Sequence, residues 1–269
     1  MAARWPGGSC HLVAVAVAAP DADLSNWPRG DHGPVGTAGQ RVEAGIDCFE
    51  ATDDLSACSL ELEIDGGAEP PQVGLAVSLR SRLQASIEDD GSEAAPLPVP
   101  YFSQMVCSQA IARHICSPVS VAMTLAFLGI ATDVESFAQE SRHPDHRLFG
   151  IWPCNLAAAW RAGASGVVRS FDSAADAARV LSAGYPIVTS IRFEAGGLAG
   201  APLERSGGHL VVLRGMGPDT VLVNDPAGAS SNEVERSYDR TAFLRAWLGD
   251  RGVGYVLWPR RDATAIPAP

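Results

Sequence analysis

Three residue types that together can break acyl bonds occur in order along this chain, each at the end of a local element. Cys116 stands at the head of a segment reading Arg113-His-Ile-Cys116-Ser-Pro118-Val-Ser-Val-Ala-Met-Thr-Leu125-Ala-Phe-Leu-Gly129. Pro118 suits the first turn of a helix, where a missing N–H costs nothing. Apolar residues then run nearly all round, which predicts a buried helix over Cys116–Leu128 that Gly129 closes. A thiol in that first turn meets unpaired backbone N–H groups and the positive end of the helix dipole. Both favour the thiolate, which is the nucleophilic form. The competing reading is a buried structural cysteine, since free Cys is among the most buried residue types.

A base for such a thiol follows later in the chain. Ser206-Gly-Gly208-His209-Leu-Val-Val-Leu-Arg214 reads as a strand with His209 near its start. Thr220-Val-Leu-Val-Asn-Asp225-Pro226 reads as a second strand ending at Asp225, and Gly215–Asp219 between them reads as a turn rich in Gly and Pro. If Arg214 pairs with Thr220, His209 lies directly opposite Asp225, close enough for the side chains to interact. A carboxylate there could hold the imidazole in one tautomer while the imidazole takes the thiol proton. A slip of one residue would send the two side chains to opposite faces. Alone, His209 reads as a satisfied core histidine and Asp225 as a turn residue before proline. The signal is the ordered set.

Four blocks resemble the peptidase C39-like family of papain-fold cysteine peptidases. They are Val99-Pro-Tyr-Phe-Ser-Gln104-Met, the Cys116–Gly129 helix, Gly208-His-Leu-Val-Val-Leu-Arg-Gly215 and Val223-Asn-Asp-Pro226. Gly150-Ile-Trp-Pro153 ahead of a helix fits bacterial members. The resemblance spans about residues 97–259. It implies an α+β fold in which the helix carrying Cys116 packs on an antiparallel sheet. It also implies Cys116 as nucleophile, His209 as general base and acid, Asp225 as the orienting acid, and Gln104 as an oxyanion donor beside the Cys116 N–H. Gln109 is a rival for that last role, being nearer the cysteine in sequence. Many relatives carry Cys-Gly-Pro where this chain has Cys116-Ser117-Pro118.

The bulk composition narrows the function classes. The chain has 269 residues and a formal charge of −11, from 20 basic and 31 acidic side chains. That balance argues against nucleic acid and anionic membranes as partners and says little about substrate beyond a slight preference for neutral or basic peptides; a peptide or protein substrate is what the family resemblance implies. No apolar run reaches the ~18–20 residues of a membrane span. Leu12–Ala19 reads as a buried strand rather than a signal peptide, and the compartment stays unassigned. Six cysteines, at 10, 48, 58, 107, 116 and 154, make no dense disulfide framework, although Cys48 and Cys58 could pair across a loop. His143-Pro-Asp-His146 and the group Cys107, His114 and Cys116 lack structural zinc spacing, and there is no phosphate-binding glycine loop. No metal and no cofactor is expected. Three functions remain open: a cysteine peptidase or amide hydrolase, a transglutaminase-like acyl transferase, and a catalytically silent binding module.

Several elements must position the three residues. Residues 1–87 show short alternating runs at Leu12–Ala18, Ser59–Ile64 and Val73–Leu79, and are expected to form a small β-sandwich or part of one, with a partner or glycan as candidate ligand. Residues 88–98 read as an acidic, Pro-containing linker, 99–259 as the peptidase-like domain and 260–269 as a tail. Within the domain, Thr132 and Glu135 predict a capping box and Pro153–Arg161 a helix closed by Gly163. Asp172 and Asp239 are read as caps of two further helices, and strands are expected at Ser165–Phe171, Tyr185–Phe193 and Val253–Trp258. Glu194–Ser206 reads either as a mobile glycine-rich loop bordering the substrate groove or as an ordinary solvent loop.

Overall fold

In a computed structural model of the chain, residues 89–260 are described apart from 144–145, together with Ile87 and the backbones of six strands between residues 2 and 66. The chain divides into two units, Met1–Val73 and Gly74–Pro269. In the first, β2 (Gly8–Ala18) is the spine. It pairs antiparallel with β1 (Ala2–Trp5) and β6 (Ala57–Gly66) and parallel with β3 (Val35–Gly36). A separate hairpin joins β4 (Val42–Ala44) to β5 (Phe49–Ala51). The run expected at Val73–Leu79, and the side chains of Cys48 and Cys58, lie outside the described residues.

The second unit is a six-stranded antiparallel sheet with helices on both faces. The strands are β7 (Ala164–Ser170), β8 (Ile187–Phe193), β9 (Ser206–Met216), β10 (Thr220–Asn224), β11 (Glu235–Asp239) and β12 (Val253–Pro259), in the spatial order β11-β10-β9-β8-β12-β7. Helices α1 (Cys116–Phe127), α2 (Val134–Ser141) and α3 (Trp152–Ala162) share one core with Val188, Leu210, Val212 and Leu257. Helices α4 (Ala174–Ser182) and α5 (Arg240–Trp247) share the other with Ile187, Val211, Leu213 and Val223. The alternation of Leu210 and Val212 with Val211 and Leu213 shows the period of two of a strand covered on both faces. This is the expected α+β arrangement, with the cysteine helix packed on an antiparallel sheet.

Helix α1 is buried from Ser117 to Leu125, because its apolar and small residues leave no polar stripe. Gly129, at φ 78°, follows it in the left-handed conformation that a glycine adopts without steric cost. Two hydroxyls fasten it to the sheet: Ser120 Oγ donates to Leu210 O at 3.0 Å, and Ser117 Oγ lies 3.0 Å from Tyr255 Oη.

Two expected caps are displaced by one residue. Asp133, not Thr132, caps α2 by accepting from Ser136 N, and Glu135 accepts from Ser108 N instead of closing a box with Thr132. Ser173, not Asp172, caps α4 by accepting from Asp176 N. The neighbouring candidates are both short polar side chains, so only the chain's entry angle selects between them.

The stretch expected as a linker is bound to the sheet. Ala94 and Met216 exchange backbone hydrogen bonds at 2.9 Å, and Leu97 N donates to Arg214 O at 2.7 Å. Asp89 receives both Nε and Nη2 of the buried Arg240. A Cβ on Gly215 would come within 3.0 Å of Pro96 Cα, so a glycine there gives this strap its close approach to β9. The glycine-rich loop between β8 and β9 is also pinned, with Leu198 buried in the core beside α4 and α5.

Candidate active site

The expected hairpin register is corrected by the structure. Strand β9 continues to Met216, which pairs with Val221, so the turn is only Gly217–Asp219. Carried on unbroken, that pairing would place Asp225 opposite Val212 and on the other face from His209. A β-bulge prevents this. Leu222 pairs with Gly215 but Val223 pairs with Leu213, which leaves Arg214 as the extra residue. Continued one step, the shifted register sets Asp225 opposite Val211, diagonal to His209 and on its face. Contact is restored: His209 Nε2 lies 2.7 Å from Asp225 Oδ1.

Arg214 stabilises the bulge that it creates. Its buried guanidinium donates to Asn224 Oδ1 at 3.0 Å and binds Glu235. Asn224 Nδ2 in turn donates to the carbonyls of Val99 and Pro100, at 3.1 and 3.0 Å. The chain after Pro100 is therefore led to the end of β10. There Ser103 Oγ donates to Gly228 O, and Gln104 N donates to Pro226 O at 2.8 Å.

Cys116 occupies the first position of α1, whose cap residue Ile115 offers no side-chain acceptor. His209 acts on its thiol and is itself held by Asp225 through Nε2. Burial opposes the thiolate. The His209 hydrogen bond and charge outweigh it, with help from the backbone N–H groups of Leu210 and Ser117, and the thiol is held below its ordinary value. Burial likewise disfavours a charged His209, but Asp225 and then Cys116 overcome it and push the imidazole up, to about 10. Asp225 is 1% exposed. Burial raises its carboxyl, and His209, Tyr238 and the Ala227 N–H more than reverse that. The directions concur in favouring a thiolate beside an imidazolium that a carboxylate steadies. Such a pair can attack a carbonyl carbon and return a proton to a leaving amine.

Residues 96–255, more than half of the chain, match the Peptidase_C39 like family. The chain belongs to that family. Among solved structures, this C39-like chain is similar to a C39-like peptidase from Bacillus anthracis, at 19% identity over 62% of this chain and 98% of that one, with a TM-score of 0.46. It is also similar to a double glycine motif protease from an AMS/PCAT transporter in complex with the leader peptide, at 17% identity over 62% and 97%, with a TM-score of 0.43. A third likeness is to the peptidase domain of Streptococcus ComA, a bi-functional ABC transporter, at 15% identity over 55% and 93%, with a TM-score of 0.39. No curated protein matches the sequence.

The C39-like unit brings Cys116, His209 and Asp225 together and sets Gln104 between two segments that border them. The Gln104 amide donates from Nε2 to Ala112 O at 2.8 Å, in the turn leading into α1. Gln104 is buried, whereas Gln109 is exposed on that turn. Three contributors went unread in the sequence. Asn224 lay inside a quoted motif without a role. The Leu210 N–H is backbone and carries no residue signal. Tyr238, whose hydroxyl donates to Asp225 Oδ2 at 2.7 Å, looks like any inward aromatic of a strand. Among the described residues no group of three or more His, Cys, Asp or Glu side chains is placed to hold a metal ion, and no helix is long and apolar enough to cross a membrane.

Proposed function

We propose that this C39-like chain is a cysteine peptidase or amide hydrolase that works through an acyl-enzyme on Cys116. The observation that carries the reading is the 2.7 Å contact of His209 Nε2 with Asp225 Oδ1, with His209 acting on the Cys116 thiol at the head of α1. Cys116 Sγ attacks the substrate carbonyl as a thiolate. His209 then protonates the departing amine, and afterwards activates the water that releases the acyl group. Asp225 holds the imidazole in line and stabilises its charge.

The oxyanion would be met by the Cys116 N–H and by Gln104. The Gln104 amide carries two hydrogens, and Ala112 O takes one, so a second remains to donate to a developing oxyanion. A peptide or protein is the substrate class that suits this chemistry.

A peptide-library cleavage assay comparing the native chain with Cys116→Ala tests the reading. Cleavage by the native chain alone is expected. Identical product profiles from the two proteins would overturn it. Adding a primary amine separates hydrolysis from acyl transfer: a hydrolase yields free acid, and a transglutaminase-like enzyme yields the amide.

A further inference from the structure

The Cys116–His209–Asp225 line has a fourth member. Asp225 Oδ1 accepts from His209 Nε2 at 2.7 Å and from Ala227 N at 2.9 Å. Its other oxygen, Oδ2, accepts from the hydroxyl of Tyr238 at 2.7 Å. A carboxylate turns about a broad terminal torsion, so donors on one oxygen alone leave its plane loosely set. A donor on each oxygen fixes that plane. In a site this buried, an Oδ2 without its donor would also be driven to find another by rotating.

Tyr238 is built to hold still. It is 1% exposed, its backbone pairs with Val221, and its ring lies nearly parallel to that of Phe243 at 6.3 Å between centroids. Its packing belongs to the core beneath α4 and α5, whereas Cys116 packs with the core of α1–α3. The Asp225 carboxylate thus ties His209, which acts on the thiol, to a residue packed on the opposite face of the sheet. We infer that Tyr238 is a positioning residue for the reaction proposed above: by holding Asp225 Oδ2, it keeps Oδ1 aimed at His209 Nε2 and so maintains the thiolate of Cys116. The inference rests on that reading of the triad. Burial and the neighbouring carboxylate both push the Tyr238 hydroxyl upward, so it keeps its proton wherever the thiolate exists.

Two roles for this hydroxyl predict opposite signs. If it only withdrew charge from a carboxylate fixed by other means, its removal would strengthen the pull on His209 and lower the Cys116 thiol further. If it positions the carboxylate, its removal lets Oδ1 drift, weakens the imidazolium and raises the thiol. The test is the pH profile of Cys116 alkylation by iodoacetamide, followed by peptide mass, in the native chain, Tyr238→Phe and His209→Ala. Phenylalanine keeps the ring and removes only the oxygen. For Tyr238→Phe the profile is expected to move up by about one unit, a tenfold slower reaction at the acid end. A profile that is unmoved or moved down overturns the inference. If Tyr238→Phe leaves the profile in place while His209→Ala moves it, only the role of Tyr238 fails. If neither moves it, the triad reading fails as well. The imidazole Nε2–H resonance of His209, read on the same samples, reports the Asp225 hydrogen bond without any reaction. It should move upfield in Tyr238→Phe, and an unchanged resonance counts against the inference.

Discussion

Helices α1 and α3 begin alike. Each follows an isoleucine cap with no side-chain acceptor, and each carries a proline and a cysteine in its first turn. Cys116 is nevertheless held below its ordinary value and Cys154 is pushed above it. Burial acts against both thiolates. Cys154 has only the charge of Arg161 to offset it, whereas Cys116 has a hydrogen-bonded imidazole backed by a carboxylate. Cys107 also rises, through burial and the nearby Glu135 and Asp133. A helix N-terminus is worth a fraction of a kcal/mol to about 1 kcal/mol. That is too little to overcome desolvation here; an ion-pair partner is what decides.

The largest effect that separates the two helix starts is on turnover. Cys116→Ser is expected to lower kcat/KM by about 10⁴-fold or more, and Cys154→Ser to leave it unchanged, as measured on any peptide the library assay yields. Comparable losses from both would erase the distinction.

The next effect concerns reactivity. Alkylation of Cys116 at neutral pH should outpace that of Cys107 and Cys154, because its thiol is held lower than theirs. Cys107 and Cys154, both pushed above the ordinary thiol value, should gain rate only at higher pH than Cys116. In His209→Ala, Cys116 should slow at neutral pH by at least about tenfold and approach the behaviour of Cys154. Full reactivity without His209 would return the credit to the helix dipole.

The same coupling sets stability. Asp225 is depressed when folded, so its contribution is present above its unfolded value near 3.8 and is lost as pH falls through the lower folded value. His209 is raised, so its contribution is full below 6.5 and is lost as pH rises toward about 10. Thermal unfolding across pH should show both limbs, and Cys116→Ala combined with Asp225→Asn should flatten them.

The smallest effect comes from a helix start with a cap and no thiol. Ser173→Ala should cost about 1 kcal/mol in denaturant unfolding and leave the alkylation of Cys116 untouched.

Much of the site was legible because its signals are local. The proline and the apolar surround of Cys116 mark a buried helix start. His209 and Asp225 each border a short run of Val and Leu residues. Ser103-Gln104 stood out only through its resemblance to the family block. What was misread depends on pairing. The bulge at Arg214 leaves no mark in a strand that reads Val-Val-Leu-Arg-Gly. The choice between Asp133 and Thr132, or between Ser173 and Asp172, turns on backbone angles that neighbours set. The acidic stretch at 88–98 has a linker's composition, yet Asp89 meets a buried Arg240 that lies far along the chain.

By itself, the sequence marked the candidates for the chemistry and the elements that carry them, since propensity, period and first-turn residues act over a few neighbours. The tertiary structure decided which of three similar thiols acquires a partner, which face His209 and Asp225 share, and which tyrosine secures the carboxylate. Those outcomes depend on distances between segments that the chain brings together only when it folds. At such distances, burial and charge are large enough to reverse what each residue would do alone.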